Sequence, residues 1–514
     1  MRVLFGSMLL LFAAGAVAQE TPPTYEQQVK ALEDEIARAG KIDQKHPDFL
    51  SAQLDYAQVL ARNTSEDTCA TRLPEAEAHF KIARESPVAP LVLAGGRGRI
   101  PVVGYYIEMA RSRCTADPAQ KTAALDAALQ YARDGVTGYR AVFIYQPMVI
   151  MQFNVAQVLR DKGDQAQAIK ELEAAIEMDR TFGMKSDAEE NFRTLKQWQG
   201  ADATDAEIAT FLAGFATRSV TLKFGWKPVK VDATASFDNA TYEGGAAKHT
   251  RFTMPMTGAL KADEEDFLYE MKIGNPVIDE STLGNDLEKK MMGLMARILS
   301  KLPAAEISKA GEFKGARDVD TFAQQMTKEI DSALAAALPA TDPRFPAVKE
   351  AVDQSLRPYA TPENLIRKIS EDYSLETGIW GGATLEQNAW LQLPLTLSMN
   401  GTPQGIIEHQ VEVVLARWLP CAEGKPADSC VELLLEGVPT KKAIEEVAAR
   451  LATAEQGKLD YAAQTRMRLV VDPATLVPYQ SEVLRYTYLA LANKNQRVVK
   501  IAADQGTVTY RYRK

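Results

Sequence analysis

Hydrophobic positions along the chain follow two periods. From Thr24 to about Phe215 they recur at i, i+3 and i+4, the spacing that gathers them on one face of a helix. Val29, Leu32 and Ile36 form one stripe, and Leu50, Leu54 and Leu60 a second, with Pro47 near its start. Pro74 is expected to open a third helix, carrying Phe80 and Ile82. Ile100–Ala110 is apolar and leads to Cys114, and Leu125, Leu129 and Ala132 mark a helix ending near Gly135. Two amphipathic helices, from Met148 to Asp179, meet at Lys162-Gly163-Asp164. Ser186-x-x-Glu189 and Thr204-x-x-Glu207 read as capping boxes that open two more. These carry Phe192, Leu195 and Trp198, then Ile208, Leu212 and Phe215.

After Thr217 the period changes to 2. Val220, Leu222, Phe224 and Trp226 alternate with Thr221, Lys223 and Gly225 and predict a half-buried strand. A boundary placed here separates a helical domain, 19–217, from a β-rich domain, 218–514. Val229–Phe237 and Thr250–Met254 are weaker strand candidates, and Phe267–Ile273 a stronger one. A helical insertion is expected at about 281–370. It holds the stripe Leu283, Leu287, Met291, Leu294, Met295, Ile298 and Leu302, then Phe322, Met326, Ile330 and Leu334 after Asp320 as cap. Short helices follow at Ala347–Leu356 and Pro362–Ile369. Alternation returns at Leu391–Leu397, Ile407–Leu415 and Val431–Leu435, and one more helix is expected from Lys441 to about Leu451. The last strands are Thr465–Val471, Glu482–Leu491, Gln496–Ile501 and Thr507–Tyr512, with Asp504-Gln505-Gly506 as a turn between the last two. Strands joined by short turns pair antiparallel. The class is therefore α+β multidomain: an all-α N-terminal array, then an antiparallel sheet with packed helices.

Composition narrows the role. The 514 residues carry a formal charge of −9 and no Lys/Arg cluster. Nucleic acid is a poor partner for such a chain, because phosphate neutralisation needs a basic footprint. The first residues, M-R-V-L-F-G-S-M-L-L-L-F-A-A-G-A-V-A-Q-E, join one Arg to an apolar run and an A-x-A site. That is a secretory signal, residues 1–18, cut near Ala18, and it places the mature chain in the periplasm or outside the cell. No later stretch is apolar enough to span a membrane. Export gives the four cysteines meaning. Domain logic pairs Cys69 with Cys114 and Cys421 with Cys430. Metal binding is the weaker rival, since no C-x-x-C occurs and the only histidines are His46, His79, His249 and His409.

Two families are similar to parts of the chain. Gly163-Asp164 as a turn, Ala168 and Ala175 as small positions and Leu172 between them resemble a tetratricopeptide repeat, clearest at 149–182. Gln152, Ala156 and Arg180 depart from that pattern at positions where the family favours Trp, Gly and Pro. The resemblance implies a helical array that presents a surface to a protein or peptide partner. Asp472-Pro473-Ala474-Thr475-Leu476-Val477-Pro478 is similar to the D-P-x-T-G-x-P turn of LolA-like envelope half-barrels, with Leu476 where Gly is usual. That resemblance implies a curved antiparallel sheet around helices, able to hold an acyl chain. Met291, Met292 and Met295 are the ligand-contact candidates, because thioethers adapt to irregular apolar partners. Core packing explains the same residues without a ligand and is the favoured reading. Gly95-Gly96-Arg97-Gly98-Arg99 lacks the ending of a phosphate loop and reads as a flexible helix connector. His409 reads as a satisfied buried histidine. No G-x-S-x-G, H-E-x-x-H or Cys/His nucleophile pair occurs, so neither catalytic residues nor a cofactor are assigned. The expected role is an exported, non-catalytic envelope protein, either an interaction scaffold or a carrier of an apolar ligand. The alternative is an envelope hydrolase whose catalytic groups meet only in the fold.

Overall fold

The structure, a computed structural model, describes residues 23–513 apart from 94, 216–217, 243–246, 280–302, 344, 356, 399–405, 454–457 and 493–496. The signal segment and the stripe Leu283–Leu302, with Met291, Met292 and Met295, lie outside the described residues. The chain divides into two compact units, one ending at Phe215 and one beginning at Ala216.

The first unit is helical. Its helices are α1 (Tyr25–Gly40), α2 (Pro47–Arg62), α3 (Cys69–Glu85), α4 (Ala89–Val92) and α5 (Gly96–Cys114). They continue as α6 (Pro118–Arg140), α7 (Tyr145–Asp161), α8 (Gln165–Phe182), α9 (Lys185–Trp198) and α10 (Asp205–Ala213). Side chains start several of them. Thr24 with Gln27 and Thr204 with Glu207 form capping boxes. His46 and Asp117 each accept a backbone N–H ahead of a proline at the first helical turn. Each long helix packs against its neighbour in sequence, and Ala168, Leu172 and Ala175 are fully buried where α8 meets α7 and α9. The Cys69–Cys114 disulfide ties the start of α3 to the end of α5, with Cα atoms 5.6 Å apart.

Three local expectations are corrected in this unit. Pro74 lies inside α3, which begins earlier, at Cys69, behind a 3-10 turn at Glu66–Thr68. Ser186 caps nothing, because α9 begins at Lys185 with Met184 in the cap position. Left-handed Gly183 ends α8 there, and the Met184 N–H donates back to the Asp179 carbonyl, so the register of α9 is set by the close of α8. The glycine run is no flexible connector. Gly95 takes φ +67° and α5 starts at Gly96. A Cβ on Gly98 would sit 2.4 Å from the Tyr139 ring, and one on Gly138 would sit 2.1 Å from the Arg97 carbonyl oxygen. The missing side chains let α5 and α6 approach closely.

The second unit is built on a sheet of twelve strands. Its first part comprises β1 (Ser219–Thr221), β2 (Val229–Tyr242), β3 (Ala247–Asp263), β4 (Asp266–Ile273), β5 (Val277–Ile278), β6 (Ala305–Ser308) and β7 (Phe313–Ala316). Helices α11 (Val319–Ala337), α12 (Phe345–Ser355) and α13 (Pro362–Glu376) follow. The second part comprises β8 (Thr384–Glu386), β9 (Leu391–Ser398), β10 (Ile406–Leu419), β11 (Cys430–Pro439), helix α14 (Lys441–Thr453), β12 (Lys458–Val471), β13 (Pro478–Ala492) and β14 (Arg497–Arg513). The order across the sheet is β7-β6-β4-β3-β2-β14-β13-β12-β11-β10-β9, with β5 beside β3 and every pair antiparallel. The sheet is open, bounded by β7 and β9, and β9 carries Pro394 opposite Gln410. Strands β1 and β8 pair separately.

The period-2 pattern finds its core on one face. Leu397, Val411, Val413, Leu415, Leu433, Leu435, Met467 and Leu469 pack with Leu375 at the end of α13 and with Trp380. Ala443 and Val447 of α14 cover Ile407, Tyr461 and Leu489 on the same face. The loop between β10 and β11 is closed by the Cys421–Cys430 disulfide, Cα–Cα 4.9 Å.

Sequence and structure part at four places here. Only Ser219–Thr221 of the Val220–Trp226 alternation is a strand. Beyond it the extended chain docks on the 472–476 turn: Lys223 and Gly225 donate backbone N–H groups to Pro473 and Thr475, and the Trp226 indole donates to the Leu476 carbonyl. The residue before α11 is Asp318, with φ +57°, and Asp320 lies in the helix's first turn. The short strands β5, β6, β7 and β8 lie where the residue pattern predicts no strand. Asp504-Gln505-Gly506 is not a turn but the middle of one unbroken strand. Asp504 pairs with Arg485 on one side and Asn239 on the other. Neighbours on both sides hold the segment extended and override its local turn preference.

Candidate functional site

The sheet face against which α13 and α14 pack is the candidate site. Residues directly opposite on neighbouring strands share a face, so the registers sort its side chains into rows that cross the strands. One row is polar through five successive strands: Thr465, Arg485, Asp504, Asn239 and Thr250 on β12, β13, β14, β2 and β3. The next row is Met467, Val483, Gly506, Phe237 and Phe252. Phe237 and Phe252 stack with ring centroids 4.9 Å apart. The row after that is Leu469, Ser481, Val508, Ala235 and Met254. Where α13 covers these rows their residues are fully buried, as at Met467 and Leu469. Val483, Val508, Phe237, Phe252 and Met256 are half-buried.

Polar groups are set into this apolar surface. Glu376, near the end of α13, accepts from the Tyr510 hydroxyl, which lies 3.0 Å from each carboxylate oxygen. Burial pushes the Glu376 carboxyl up to about 7, against the downward pull of the Tyr510 and Ser481 hydroxyls. Farther along, Glu371 of α13 lies 3.6 Å from the Arg485 guanidinium. His409 is buried, with Nδ1 2.9 Å from the Ile407 carbonyl oxygen. Burial lowers its pKa, so the neutral ring is favoured. Burial also raises the Asp504 carboxyl, and Arg485 opposes that rise. These groups come from α13, from β10 and from the consecutive strands β13 and β14, and no linear motif marks them.

The Asp472–Pro478 turn borders the same core. Leu476 takes φ +56° and its side chain is fully buried in the α13 core. The Asp472 carboxylate accepts from the Ala474 N–H, and its carbonyl accepts from Thr475 and Leu476. A leucine thus adopts the left-handed conformation usual for glycine.

In the helical unit, Asp179 on α8 is fully buried. One of its oxygens accepts from the Asn191 amide at 2.7 Å; the other has no hydrogen-bond partner. Burial pushes its carboxyl up to about 7. At the end of the unit, Phe192, Lys196, Ala206, Glu207, Thr210 and Phe211 line a shallow groove between α9 and α10. Phe192 and Phe211 stack there at 4.3 Å.

Among the described residues, no cluster of three or more His, Cys, Asp or Glu is arranged to hold a metal, and no helix is long and apolar enough to cross a membrane. All four cysteines are in the two disulfides expected.

The chain matches no protein-family model, and no curated protein matches it in sequence. Among solved structures, it is similar to lipovitellin, in a structure concerned with lipid–protein interactions, at 10% identity and a TM-score of 0.27. That likeness covers 56% of this chain, which spans about a quarter of the other: 25%.

Proposed function

We propose that this chain is an exported, non-catalytic carrier that holds an apolar ligand against the helix-side face of its sheet. The observation that carries the reading is the apolar surface of that face, which continues past the fully buried core to half-buried Phe237, Phe252, Met256, Val483 and Val508. Apolar surface with a few fixed polar groups is the usual make-up of a small-molecule site. Two disulfides suit an oxidising compartment such as the periplasm. The tetratricopeptide-like hairpin of α7 and α8 and the groove at Phe192 and Phe211 support a second role, in which the helical unit contacts a protein or peptide.

Native mass spectrometry of the full chain, purified from its own host, tests both roles. A lipid-sized adduct, with fluorescence enhancement of added N-phenyl-1-naphthylamine, is expected for the carrier. A bound polypeptide without lipid favours the scaffold. Absence of both adduct and enhancement overturns the carrier reading.

A further inference from the structure

The sheet ends at β9, and among the described residues no strand lies beyond it. Pro394 decides which backbone groups of β9 are engaged by β10. It has no N–H, yet the ladder to β10 runs unbroken from Leu391 to Ser398. Hydrogen-bonded and non-hydrogen-bonded pairs alternate along an antiparallel ladder. Pro394 opposite Gln410 is therefore a non-hydrogen-bonded pair, and the bonds fall at Leu391, Leu393, Leu395 and Leu397. The N–H and C=O groups of Gln392 and Thr396 and the C=O of Pro394 point outward, where an added strand can pair with them. The two faces of this edge differ. Leu393 and Leu395 are half-buried on the helix-side face, and Trp390 and Leu391, at the start of the strand, are 51% and 43% exposed. On the other face Gln392, Pro394 and Thr396 stand opposite Glu412, Gln410 and Glu408. Glu412 accepts from the Gln392 amide at 2.9 Å, and neither glutamate forms an ion pair among the described residues.

We propose that the outer edge of β9 is a peptide-docking site for an extended segment in which apolar residues alternate with Lys or Arg. This inference does not depend on the carrier reading. Residues of an added antiparallel strand that bond to Gln392, Pro394 and Thr396 carry their side chains on the face of Glu408 and Glu412, two strand spacings or roughly 10 Å away. A long basic side chain crosses that distance over Pro394 and Thr396, and the alternate residues meet Leu391, Leu393 and Leu395. A second copy of β9 is a poor occupant. The pair centred on Pro394 would leave both proline carbonyls facing each other without an N–H, and it would gather the glutamates of both chains on one face.

Fluorescein-labelled eight-residue peptides of alternating Val and Lys, or Val and Glu, are titrated into the full chain and followed by anisotropy. The Lys peptide is expected to bind about tenfold more tightly at low salt, with the preference shrinking as salt is added. The charge-neutral double variant Glu408→Gln, Glu412→Gln is expected to abolish the preference. In this register the Lys N–H groups face β9 and the Val N–H groups face water. N-methylation of the Lys residues is expected to abolish binding, and N-methylation of the Val residues to leave it. Gln392→Pro, which removes an outward N–H and leaves the ladder to β10 intact, is expected to weaken binding; unfolding midpoints check that the variants fold. Equal affinity of the two peptides, or equal effects of the two N-methylations, overturns the inference. A dimer seen by light scattering that Gln392→Pro dissociates also overturns it, since the occupant is then a second copy.

Discussion

A carboxyl group removed from water favours its neutral form, and Asp179 and Glu376 are both in that position, each raised to about 7. In the unfolded chain Asp179 returns to the ordinary value near 3.8. The folded state therefore holds a proton that the unfolded state has released, and stability falls as pH rises from about 4 through about 7. Between pH 5 and pH 8 this group alone is expected to lower stability by about 2 kcal/mol. Urea unfolding at the two pH values checks it. Asp179→Asn should flatten that dependence and stabilise the chain at pH 8, since the Asn191 contact can be kept. Leu476 presents the opposite balance. Leu476→Gly would relieve a strained backbone worth about 1 kcal/mol, but it removes a fully buried leucine side chain worth about 3. The variant is expected to be less stable by about 2 kcal/mol in the same assay.

Helix contacts and cross-links decide the next scale. Gly138→Ala would force a Cβ toward the Arg97 carbonyl oxygen, a backbone atom that cannot rotate away. A loss of about 3 kcal/mol, with α5 and α6 pushed apart, is expected from thermal unfolding. The disulfides differ in the loops they close, 45 residues for Cys69–Cys114 and 9 for Cys421–Cys430. Replacing the first pair by alanine should cost about 4 kcal/mol and the second about 3. The same scale explains what the residue pattern could reveal. Helical stripes such as Leu50, Leu54 and Leu60 mark their elements because one buried face suffices to explain them. The alternation at Leu391–Leu397 marks a strand for the same reason. Cysteine pairing followed from domain placement alone. Asp504-Gln505-Gly506 has strong turn chemistry, yet it is held extended between β13, the strand before it in sequence, and β2, which lies more than two hundred positions away. The charged members of the site are hidden for a related reason: Arg485 and Asp504 face each other on adjoining strands, but Glu371 reaches Arg485 only once α13, more than a hundred residues earlier, packs on the sheet. The glycine run at Gly95–Arg99 misled because small residues mark loops and close helix contacts alike.

At the scale of the whole molecule, an open sheet has two edges that could pair with other chains. Strand β7 is short, and β9 carries Pro394, which lacks an N–H and is tolerated where its nitrogen faces outward. Pro394→Thr should leave the fold intact and increase self-association, read as a rise in mass by light scattering. The sheet's order also sets when it can form. Strand β14 lies in its middle, between β2 and β13, and the Arg513 guanidinium pairs with Asp232, 281 residues away. Until β14 arrives, β2–β7 and β9–β13 are two separate half-sheets, each with a long bare edge. Such a chain assembles late and slowly, because its central pairing has the largest loop to close. During synthesis it would present its stickiest edges for longest, so its demand for a chaperone should be greatest just before β14 emerges.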